Sequence, residues 1–337
     1  MTTKLALIGL KGHVGTILAG AKQLGDVEVV AVSDDDPQQL AATLKREPSL
    51  KNAQGFAQWW HLVEHSLFDV CCVADENGLR VEQLLPLFDR GVHIVSEKPL
   101  VTTLNDLERL RAAFSKSKSQ LTMLLELRHQ PKYVRVREVI QRGDIGEVCQ
   151  VATQKSYKWG ERPAWYRSRS RLGGTIPFIG IHSLDTIRWV TGMDFSHIAA
   201  LHGNLGRPEL GETENHATIL AQLSNGASVA ARLDYQRPAS APTHGDDRLH
   251  VTGTKGFIEV NEADSAVTLI TNDKQEKVAF GETENLFVEF VNFVRGGPAP
   301  RISADDCFYI TEVTLRARDA ADERKWMELP PFRRVRS

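Results

Sequence analysis

The sequence predicts an α/β protein of two domains. We expect the first domain to contain a doubly wound parallel sheet. We expect the second domain to be of α+β type, with a large, mostly antiparallel open sheet. Strand and helix patterns alternate through the first 125 residues, as they do in parallel βαβ units. Beyond residue 125 the alternation loosens, and β-rich segments follow one another between turn signals. The first domain is therefore expected at residues 1–122 and the second at residues 123–337.

The first domain begins with a short apolar run, Lys4–Gly9, whose pattern predicts a strand that ends at glycine. A helical periodicity follows at Thr16–Leu24, and the β-branched run Val27–Val32 predicts the second strand. Gly91 closes a later helical pattern, Val81–Arg90, as glycine often closes helices. The other predicted elements are the helices Pro37–Arg46, Phe56–His65 and Leu104–Phe114 and the strands Asp69–Ala74, Val92–Ser96 and Leu121–Leu125.

In the second domain, glycine-containing turn signals such as residues 224–226 and 253–256 separate the strand patterns. The predicted strands are Glu147–Thr153, His216–Leu223, Ser228–Tyr235, Arg248–Thr252, Phe257–Val260 and Ala266–Thr271. The predicted helices are Ser183–Thr191, Leu286–Arg295 and Ala304–Ala320. This mixture of strands and a few helices is the basis for the α+β assignment.

The composition is that of an ordinary globular chain, with 337 residues and a formal net charge of −2 from 41 basic and 43 acidic side chains. The basic residues are scattered, whereas nucleic-acid binding needs clustered Lys and Arg, so we expect no nucleic-acid partner. No apolar run approaches the roughly 18 residues of a membrane span, and no secretory signal is visible. The lack of such a run predicts no membrane partner. The four cysteines match neither a zinc motif nor a disulfide framework, which favours a reducing compartment and therefore a cytoplasmic protein. Cys71 and Cys72 lie in an apolar run and are expected in the core.

A glycine-rich segment, Gly9-Leu10-Lys11-Gly12-His13-Val14-Gly15, lies where the first predicted strand turns into the first helix. A tight turn there can bring backbone amides to a pyrophosphate at a helix N-terminus, and glycine permits this approach because it has no Cβ. The spacing G-x-x-G-x-x-G is one residue longer than the usual dinucleotide fingerprint. The order of strand, loop and helix predicts a dinucleotide site.

Asp34 strengthens that prediction, because it follows Gly15 by 19 residues and ends the second predicted strand. A carboxylate at this point can bind both ribose hydroxyls of NAD. Asp35 and Asp36 come next, and no arginine that would accept a 2′-phosphate stands there. The sequence therefore predicts NAD as the cofactor and disfavours NADP. The alternative is a glycine-rich turn beside a solvated acidic loop.

Further motifs follow in order along the chain. They are residues 91–100, which contain Glu97-Lys98-Pro99, then residues 128–131 and 143–148, the pair Gly173-Gly174, and residues 180–185. With the glycine loop and Asp34, this ordered set resembles the Gfo/Idh/MocA oxidoreductase family, which comprises sugar and polyol dehydrogenases. The resemblance covers nearly the whole chain. It implies a Rossmann-type first domain, a larger C-terminal sheet domain and an NAD-dependent dehydrogenase activity.

The resemblance implies that Lys98 and His182 are the catalytic residues. An ammonium at the carboxyl end of a strand can hold a substrate hydroxyl and stabilise its alkoxide character, and Glu97 can orient the lysine. An imidazole is suited to accept the hydroxyl proton. The alternatives are a surface lysine and a structural histidine. The expected cofactor-binding residues are Gly9, Lys11, Gly12, His13, Val14, Gly15, Asp34, Asn77, Glu97 and Lys98.

An aromatic and basic stretch lies between Tyr157 and Arg171. Aromatic faces pack on sugar C–H surfaces and arginine can fork a carboxylate or phosphate, so a sugar-like substrate with an acidic group would use both. The alternative is that the rings are core and the arginines solvated. The expected substrate-binding residues are Arg128, Trp165, Tyr166, Arg169 and Asp185.

The resemblance, together with these patterns, implies an oxidoreductase that moves a hydride between NAD and a carbinol carbon of a sugar, polyol or sugar acid. Phe178 stands where the family usually has aspartate, and Asp75 and Glu76 place two acids in the expected cofactor cleft. They keep two alternatives open: a non-catalytic NAD- or sugar-binding regulatory protein, and an enzyme that uses NAD transiently for sugar cleavage or epimerisation. No paired ligand spacing predicts a metal. The open sheet predicts a homo-oligomer, a dimer or tetramer, through the C-terminal domain.

Overall fold

A computed structural model describes residues 2–336, which form two compact units. The first unit holds the chain up to Leu124, the segment Glu284–Phe308 and the C-terminal residues from Arg334. The second unit holds Leu125–Thr283 and Tyr309–Arg333. The functional division of the chain at residue 122, into a cofactor domain and a substrate domain, stays a prediction.

The first unit contains a parallel sheet that has six strands within the described residues. They are β1 (Thr3–Ile8), β2 (Val27–Ser33), β3 (Gln54–Phe56), β4 (Val70–Val73), β5 (His93–Ser96) and β6 (Leu121–Met123), in the sheet order β3-β2-β1-β4-β5-β6. The chain winds outward from β1 to β3 and then restarts at β4 on the other side of β1. This confirms the doubly wound sheet, and the carboxyl ends of β1 and β4 form the switch point where such sheets bind ligands.

Helices connect these strands, as parallel pairing requires. They are α1 (Val14–Leu24), α2 (Pro37–Arg46), α3 (Trp59–His65), α4 (Arg80–Asp89) and α5 (Leu104–Lys116). The central strands are apolar throughout: Leu5–Ile8 and Val70–Val73 are fully buried, because helices of a doubly wound sheet cover both faces. Cys71 and Cys72 lie in this buried β4, which confirms them as core residues.

The second unit contains a sheet with nine strands in the described part of the chain. They are β7 (Val148–Tyr157), β8 (Phe195–Gly203), β9 (His216–Leu223), β10 (Ser228–Asp234), β11 (Gly245–Gly253), β12 (Gly256–Asn261), β13 (Ala266–Thr271), β14 (Gln275–Ala279) and β15 (Met327–Glu328). The order is β14-β13-β12-β11-β7-β10-β9-β8-β15, with β7 and β10 parallel and the other neighbours antiparallel. The predicted large, mostly antiparallel open sheet is therefore confirmed.

One face of this sheet is covered and the other is open. Along β9 and β10, Ile219 and Ala231 are buried while their neighbours Leu220 and Arg232 are exposed, so the side chains alternate between core and solvent. The helices of this unit include α6 (Pro131–Gln141), α7 (Arg169–Leu172) and α8 (Ile181–Thr191), and α8 follows a π-helical turn at Ile176–Gly180. Helices α6 and α8 pack against the sheet.

Two more helices follow, α9 (Leu286–Val294) and α10 (Ala304–Glu323). Helix α9 belongs to the first unit and packs on α1. Asn285 caps α9 by accepting from the amide of Phe287, and its Nδ2 donates to the carbonyl of Thr16 in α1. A Cβ on Gly20 would lie 2.5 Å from the Asn285 side chain, so glycine makes room for this contact. Among residues 2–336, no helix has both the length and the apolar character that a membrane crossing requires.

Several observed elements are absent from the sequence prediction. The strands β3 and β15 are only three and two residues long, and β14 was likewise not predicted. Strand β8 contains a register shift between Phe195 and His197, which breaks the alternation that would reveal it. Helix α6 begins at Pro131 and reads Pro-Lys-Tyr-Val-Arg-Val-Arg-Glu-Val-Ile-Gln, where alternating valines obscure the helical period.

Candidate functional site

The glycine loop between β1 and α1 has the conformation that its sequence predicts. Gly9 and Gly12 adopt positive φ angles of 79° and 61°. A Cβ on Gly9 would lie 2.4 Å from the carbonyl oxygen of Ala74, and one on Gly12 would lie 2.1 Å from the carboxylate of Glu97. Packing of the loop against the segments that follow β4 and β5 therefore requires glycine at both positions.

Gly15 has a different role, because a Cβ there would meet no described atom within 4 Å. Gly12 and Gly15 line a cleft of about 890 Å³ that also borders Leu18, Gln39 and Arg46. Helix α1 starts at Val14, directly after the loop, and a helix N-terminus attracts phosphate through its dipole and amides. The open space at Gly15 fits the pyrophosphate of a dinucleotide.

Glu97, which follows β5, anchors the glycine loop. Its carboxylate accepts a hydrogen bond from the backbone amide of His13 at 2.6 Å and contacts the His13 Nδ1 at 2.6 Å. Burial alone would raise the pKa of Glu97, but His13 and then Lys98 stabilise the charged form and lower it to about 2. Glu97 also accepts from the backbone amide of Lys98 at 3.0 Å. Glu97 therefore fixes the backbone of the glycine loop at His13 and the backbone after β5 at Lys98.

Lys98 is 4% exposed and is not a surface lysine. It is the second residue after β5, and its peptide bond to Pro99 is cis. The carboxyl ends of parallel strands meet at one edge of a sheet, so Lys98 lies at the same edge as the glycine loop.

Asp34 follows β2 and is buried, with 2% of its surface exposed. One carboxylate oxygen accepts from the backbone amide of Leu10 and the other from that of Asp36, both at 2.9 Å. Burial raises the pKa of Asp34. A carboxylate has about four acceptor positions, so these two bonds orient the group and leave capacity for a ribose diol.

Of the two acids after β4, Asp75 is compensated inside the protein. Lys11 Nζ lies 2.7 Å from Asp75 Oδ1, and Gln83 donates to the other oxygen of Asp75 at 2.9 Å. Asp75 and Glu76 are both buried. The lysine of the lengthened glycine loop thus neutralises one of the two acids that raised the doubt about the expected cofactor cleft.

Arg80, the first residue of α4, was not among the expected site residues. Its guanidinium is fully buried and donates to the carbonyl of Asp75 at 2.7 Å, to the Asn77 side chain at 3.0 Å and to the carbonyl of Pro99. Arg80 therefore connects the segment after β4, which contains Asn77, to the segment after β5. The available signal was an arginine at the first position of a helix, where a cation is unfavourable toward the helix dipole.

In the second unit, Arg128 and Asp185 bind each other. Arg128 Nε lies 3.0 Å from Asp185 Oδ2 and Nη2 lies 2.5 Å from Oδ1, and the side chains are 2% and 1% exposed. This is a bidentate, buried ion pair. Asp185 is three residues after His182 in α8, so the pair fixes the helix that carries the buried His182.

Arg169 is also paired, with Glu214 at 3.3 Å and with Asp322 at 2.5 Å. Glu214 accepts from the backbone amide of Thr175 at 2.9 Å, beside Gly174, whose φ is 95°. His202 Nε2 lies 3.0 Å from Asp322. Glu214, His202 and Asp322 were not predicted, and they hold the two-glycine segment that leads to α8.

Trp165 and Tyr166 are buried in an aromatic cluster with Trp159 and Tyr235. The ring centroids of Trp165 and Tyr166 are 4.1 Å apart, and those of Trp159 and Tyr235 are 5.0 Å apart. Phe178, at the position of the usual aspartate, packs edge-on against Tyr166 at 5.3 Å. Trp165 Nε1 and Tyr235 Oη are buried and have no hydrogen-bond partner among the described residues.

Within residues 2–336, no group of three or more His, Cys, Asp and Glu side chains converges in a way that could hold a metal ion.

Comparisons with known proteins agree with this description. Residues 3–125 match a family model described as the oxidoreductase family GFO/IDH/MocA with an NAD-binding Rossmann fold, and residues 133–259 match the GFO/IDH/MocA C-terminal domain. A solved structure described as a "putative oxidoreductase from Thermotoga maritima" has a TM-score of 0.90 and 31% sequence identity, covering 97% of this chain and 100% of that one.

Among curated relatives, the myo-inositol 2-dehydrogenase of Thermotoga maritima is 23% identical over 97% of this chain and 98% of its own length. "Putative oxidoreductase YteT" of Bacillus subtilis is 26% identical, and that match spans 51% of this chain and 42% of the relative.

Proposed function

Since the chain belongs to the GFO/IDH/MocA oxidoreductase family, we propose that it transfers a hydride between NAD and a carbinol carbon of a sugar or polyol. The observation that carries this proposal is the edge of the first sheet. There, the open space at Gly15 and the oriented carboxylate of Asp34 follow β1 and β2. These two features suit the pyrophosphate and the adenosine ribose of one dinucleotide.

NAD supplies the hydride acceptor at its nicotinamide ring. The protein supplies binding and orientation. In our proposal, the loop of Gly9, Gly12 and Gly15 and the first turn of α1 hold the pyrophosphate. Asp34 holds the ribose diol and repels a 2′-phosphate, which favours NAD over NADP. His13, Val14, Asn77 and Glu97 complete the proposed cofactor site.

We assign Lys98 the role of orienting the substrate hydroxyl, and His182 the role of accepting its proton. A buried ammonium can stabilise negative charge on the hydroxyl oxygen as the hydride leaves. The Arg128 and Asp185 pair positions α8, and thereby His182, so these two residues act through the histidine.

The substrate class follows from how the charges of the second unit are paired. Arg128 and Arg169 are bound to carboxylates of the protein itself, so neither guanidinium is offered to an acidic substrate group. The neighbouring aromatic side chains, such as Trp165 and Tyr166, carry no charge, and aromatic faces suit the C–H surfaces of a sugar. A neutral sugar or polyol is therefore favoured over a sugar acid, in agreement with the similarity to a myo-inositol 2-dehydrogenase.

The open face of the second sheet supports a homo-oligomer. Leu201 and Leu220 are 68% and 54% exposed on neighbouring strands, and Leu220 pairs with Ala199 on one side and Ala230 on the other. Such an apolar patch is typical of a subunit interface. Leu220→Asp should reduce the molar mass measured by light scattering. The control Leu205→Asp changes an exposed loop leucine and should leave that mass unchanged.

The activity is tested by incubating the chain with NAD and a panel of neutral polyols and sugars while following NADH. Oxidation of at least one polyol, lost in His182→Asn, supports the proposal. Binding of NAD without any turnover would favour the regulatory alternative. Conversion of a sugar with retained cofactor and no net NADH would favour transient use of NAD.

A further inference from the structure

Lys11 reaches acids from two different loops. It is one of two residues between the first two glycines of the loop, where the usual fingerprint has one. Its Nζ lies 2.8 Å from Asp35 Oδ1, after β2, and 2.7 Å from Asp75 Oδ1, after β4. Because β2 and β4 flank β1 in the sheet, this lysine bridges the switch point at the carboxyl end of β1.

The two partners of Lys11 differ in how firmly they are held. The Asp75 side chain is nearly buried and has a second bond from Gln83, whereas the Asp35 side chain is 71% exposed. Burial would lower the pKa of Lys11, but Asp75 and Asp35 raise it above its ordinary value, so the side chain stays an ammonium. An exposed carboxylate is the partner that a competing anion can displace.

The exposed partner is adjacent to Asp34. In the proposed function, Asp34 binds the adenosine ribose diol, with its carboxylate oriented by the amides of Leu10 and Asp36. NADP carries its additional phosphate on one of those two hydroxyls. That phosphate would therefore come to the end of β2, where Asp35 and Lys11 meet, and lysine is a common phosphate ligand.

We propose that Lys11 is a latent ligand for a 2′-phosphate, and that Asp35, by occupying its ammonium, is a second determinant of selectivity for NAD over NADP beside Asp34. This inference rests on the proposed cofactor role of the glycine loop and Asp34. In the parent chain Asp35 both engages Lys11 and repels a phosphate. Without the charge of Asp35, Lys11 keeps Asp75 as a partner and gains room for a phosphate oxygen.

The test is equilibrium titration of the purified chain with NADH and with NADPH, read by nicotinamide fluorescence. Asp35→Asn should tighten NADPH binding by about fivefold or more and leave the Kd for NADH within about twofold, the scale of one exposed ion pair. The matched control is Asp36→Asn, which removes the same charge one residue later, keeps a good N-cap for α2 and does not touch Lys11. This control should bind NADPH as the parent does.

Two double variants assign the gain to Lys11. Asp35→Asn with Lys11→Met should lose the gain, whereas Asp35→Asn with Lys11→Arg should retain it, since arginine also binds phosphate. Thermal unfolding of each variant without nucleotide shows whether it is folded. The Arg variant keeps the test decisive if the Met variant fails to fold.

The outcomes separate this inference from the function on which it rests. If the parent binds NADH but Asp35→Asn gains no affinity for NADPH, Asp35 is not a selectivity determinant, and the cofactor site stands. A gain that persists with Lys11→Met, or that Asp36→Asn shares, overturns the role of Lys11 in favour of net charge. A parent chain that binds neither nucleotide overturns the proposed function, and this inference with it.

Discussion

The candidate residues of the first unit and those of the second are brought together in different ways. In the first unit, Lys11, Asp34 and Asp75 meet because each follows a parallel strand and the strands are neighbours. In the second unit, Arg128 pairs with Asp185 across 57 residues and Arg169 with Asp322 across 153, through contacts of helices and loops. Strand order determines the first set, whereas side-chain packing determines the second.

This difference determines which groups compensate the charged side chains in each unit. At the sheet edge, backbone amides donate to Asp34 and the ammonium of Lys11 donates to Asp35. Both carboxylates keep acceptor positions that a ligand can use. In the second unit the charged side chains bind one another, and the pair of Arg128 and Asp185 is the most deeply buried of those described above. The first region should therefore respond to mutation mainly in ligand binding, and the second mainly in stability.

The largest expected effect comes from breaking the buried pair in the second unit. Arg128→Met removes the guanidinium that pairs with the buried carboxylate of Asp185, which should lower the free energy of unfolding by about 3 to 5 kcal/mol in urea titrations. Arg142→Met, which removes an exposed ion pair with Asp144, is the control and should cost less than about 1 kcal/mol.

The double variant Arg128→Met with Asp185→Leu should recover much of the loss, because no buried charge is then left unpaired. If Arg128→Met is as stable as the control, the pair does not stabilise the second unit, and the contrast between the two regions fails.

Glu97, a buried acid in the first unit, is expected to stabilise the fold through its charge. Glu97 has a pKa of about 2, below its ordinary 4.5, so it stabilises the fold above pH 4.5 and loses that contribution as the pH falls through about 2. Glu97→Gln should therefore cost about 3 kcal/mol near pH 7, and the gap to the parent should narrow between pH 5 and pH 2.

Urea unfolding of both proteins across this pH range measures the gap. The exposed Glu108, changed to Gln, provides the control and should show no such narrowing. A gap that is the same at every pH would mean that Glu97 contributes through its shape and not through its charge.

Much of the first unit can be predicted from the sequence because its signals are local. The loop from Gly9 to Gly15 is contiguous, and Asp34 and Lys98 each follow closely on a recognisable apolar strand, so a topological rule places them at one edge. The neutralisation of Asp75 by Lys11 could not be predicted, since a strand pattern does not show which side chain crosses the switch point.

The second unit shows the opposite balance. Its strand-rich class is visible in the sequence, but β8 is hidden by its register shift and α6 by alternating valines. The pairing of Arg169 with Glu214 and Asp322 was not predicted. Such pairings depend on how helices pack on the sheet, and sequence periodicity carries no information on that geometry.

A third prediction concerns catalysis in the first unit. Lys98→Met keeps the length of the side chain but removes its charge, so turnover on an accepted polyol should fall by about a hundredfold or more. The Kd for NADH in titrations should stay within about twofold of the parent, because the proposed role of Lys98 is toward the hydroxyl.

Lys116→Met, at the exposed end of α5, is the control and should retain full turnover. Near-parental activity of Lys98→Met would remove Lys98 from the catalytic role and would leave the cofactor site unaffected.

The smallest expected effect is on cofactor affinity at Asp34, where a ligand competes with protein groups for one carboxylate. Asp34→Ala removes an acceptor of two ribose hydroxyls, so the Kd for NADH should rise by a factor that corresponds to about 1 to 3 kcal/mol. The same change removes the acceptor for the amides of Leu10 and Asp36, so some loss of stability is also expected.

Asp34→Asn separates the two effects, because its side-chain oxygen can still accept a hydrogen bond from one of those amides while the charge is lost. Titration with NADH and NADPH, beside thermal unfolding without nucleotide, distinguishes weaker binding from weaker folding. If Asp34→Asn is folded and binds NADH as tightly as the parent, Asp34 is a structural acid like Asp185, and the distinction between the two regions disappears at its most specific point.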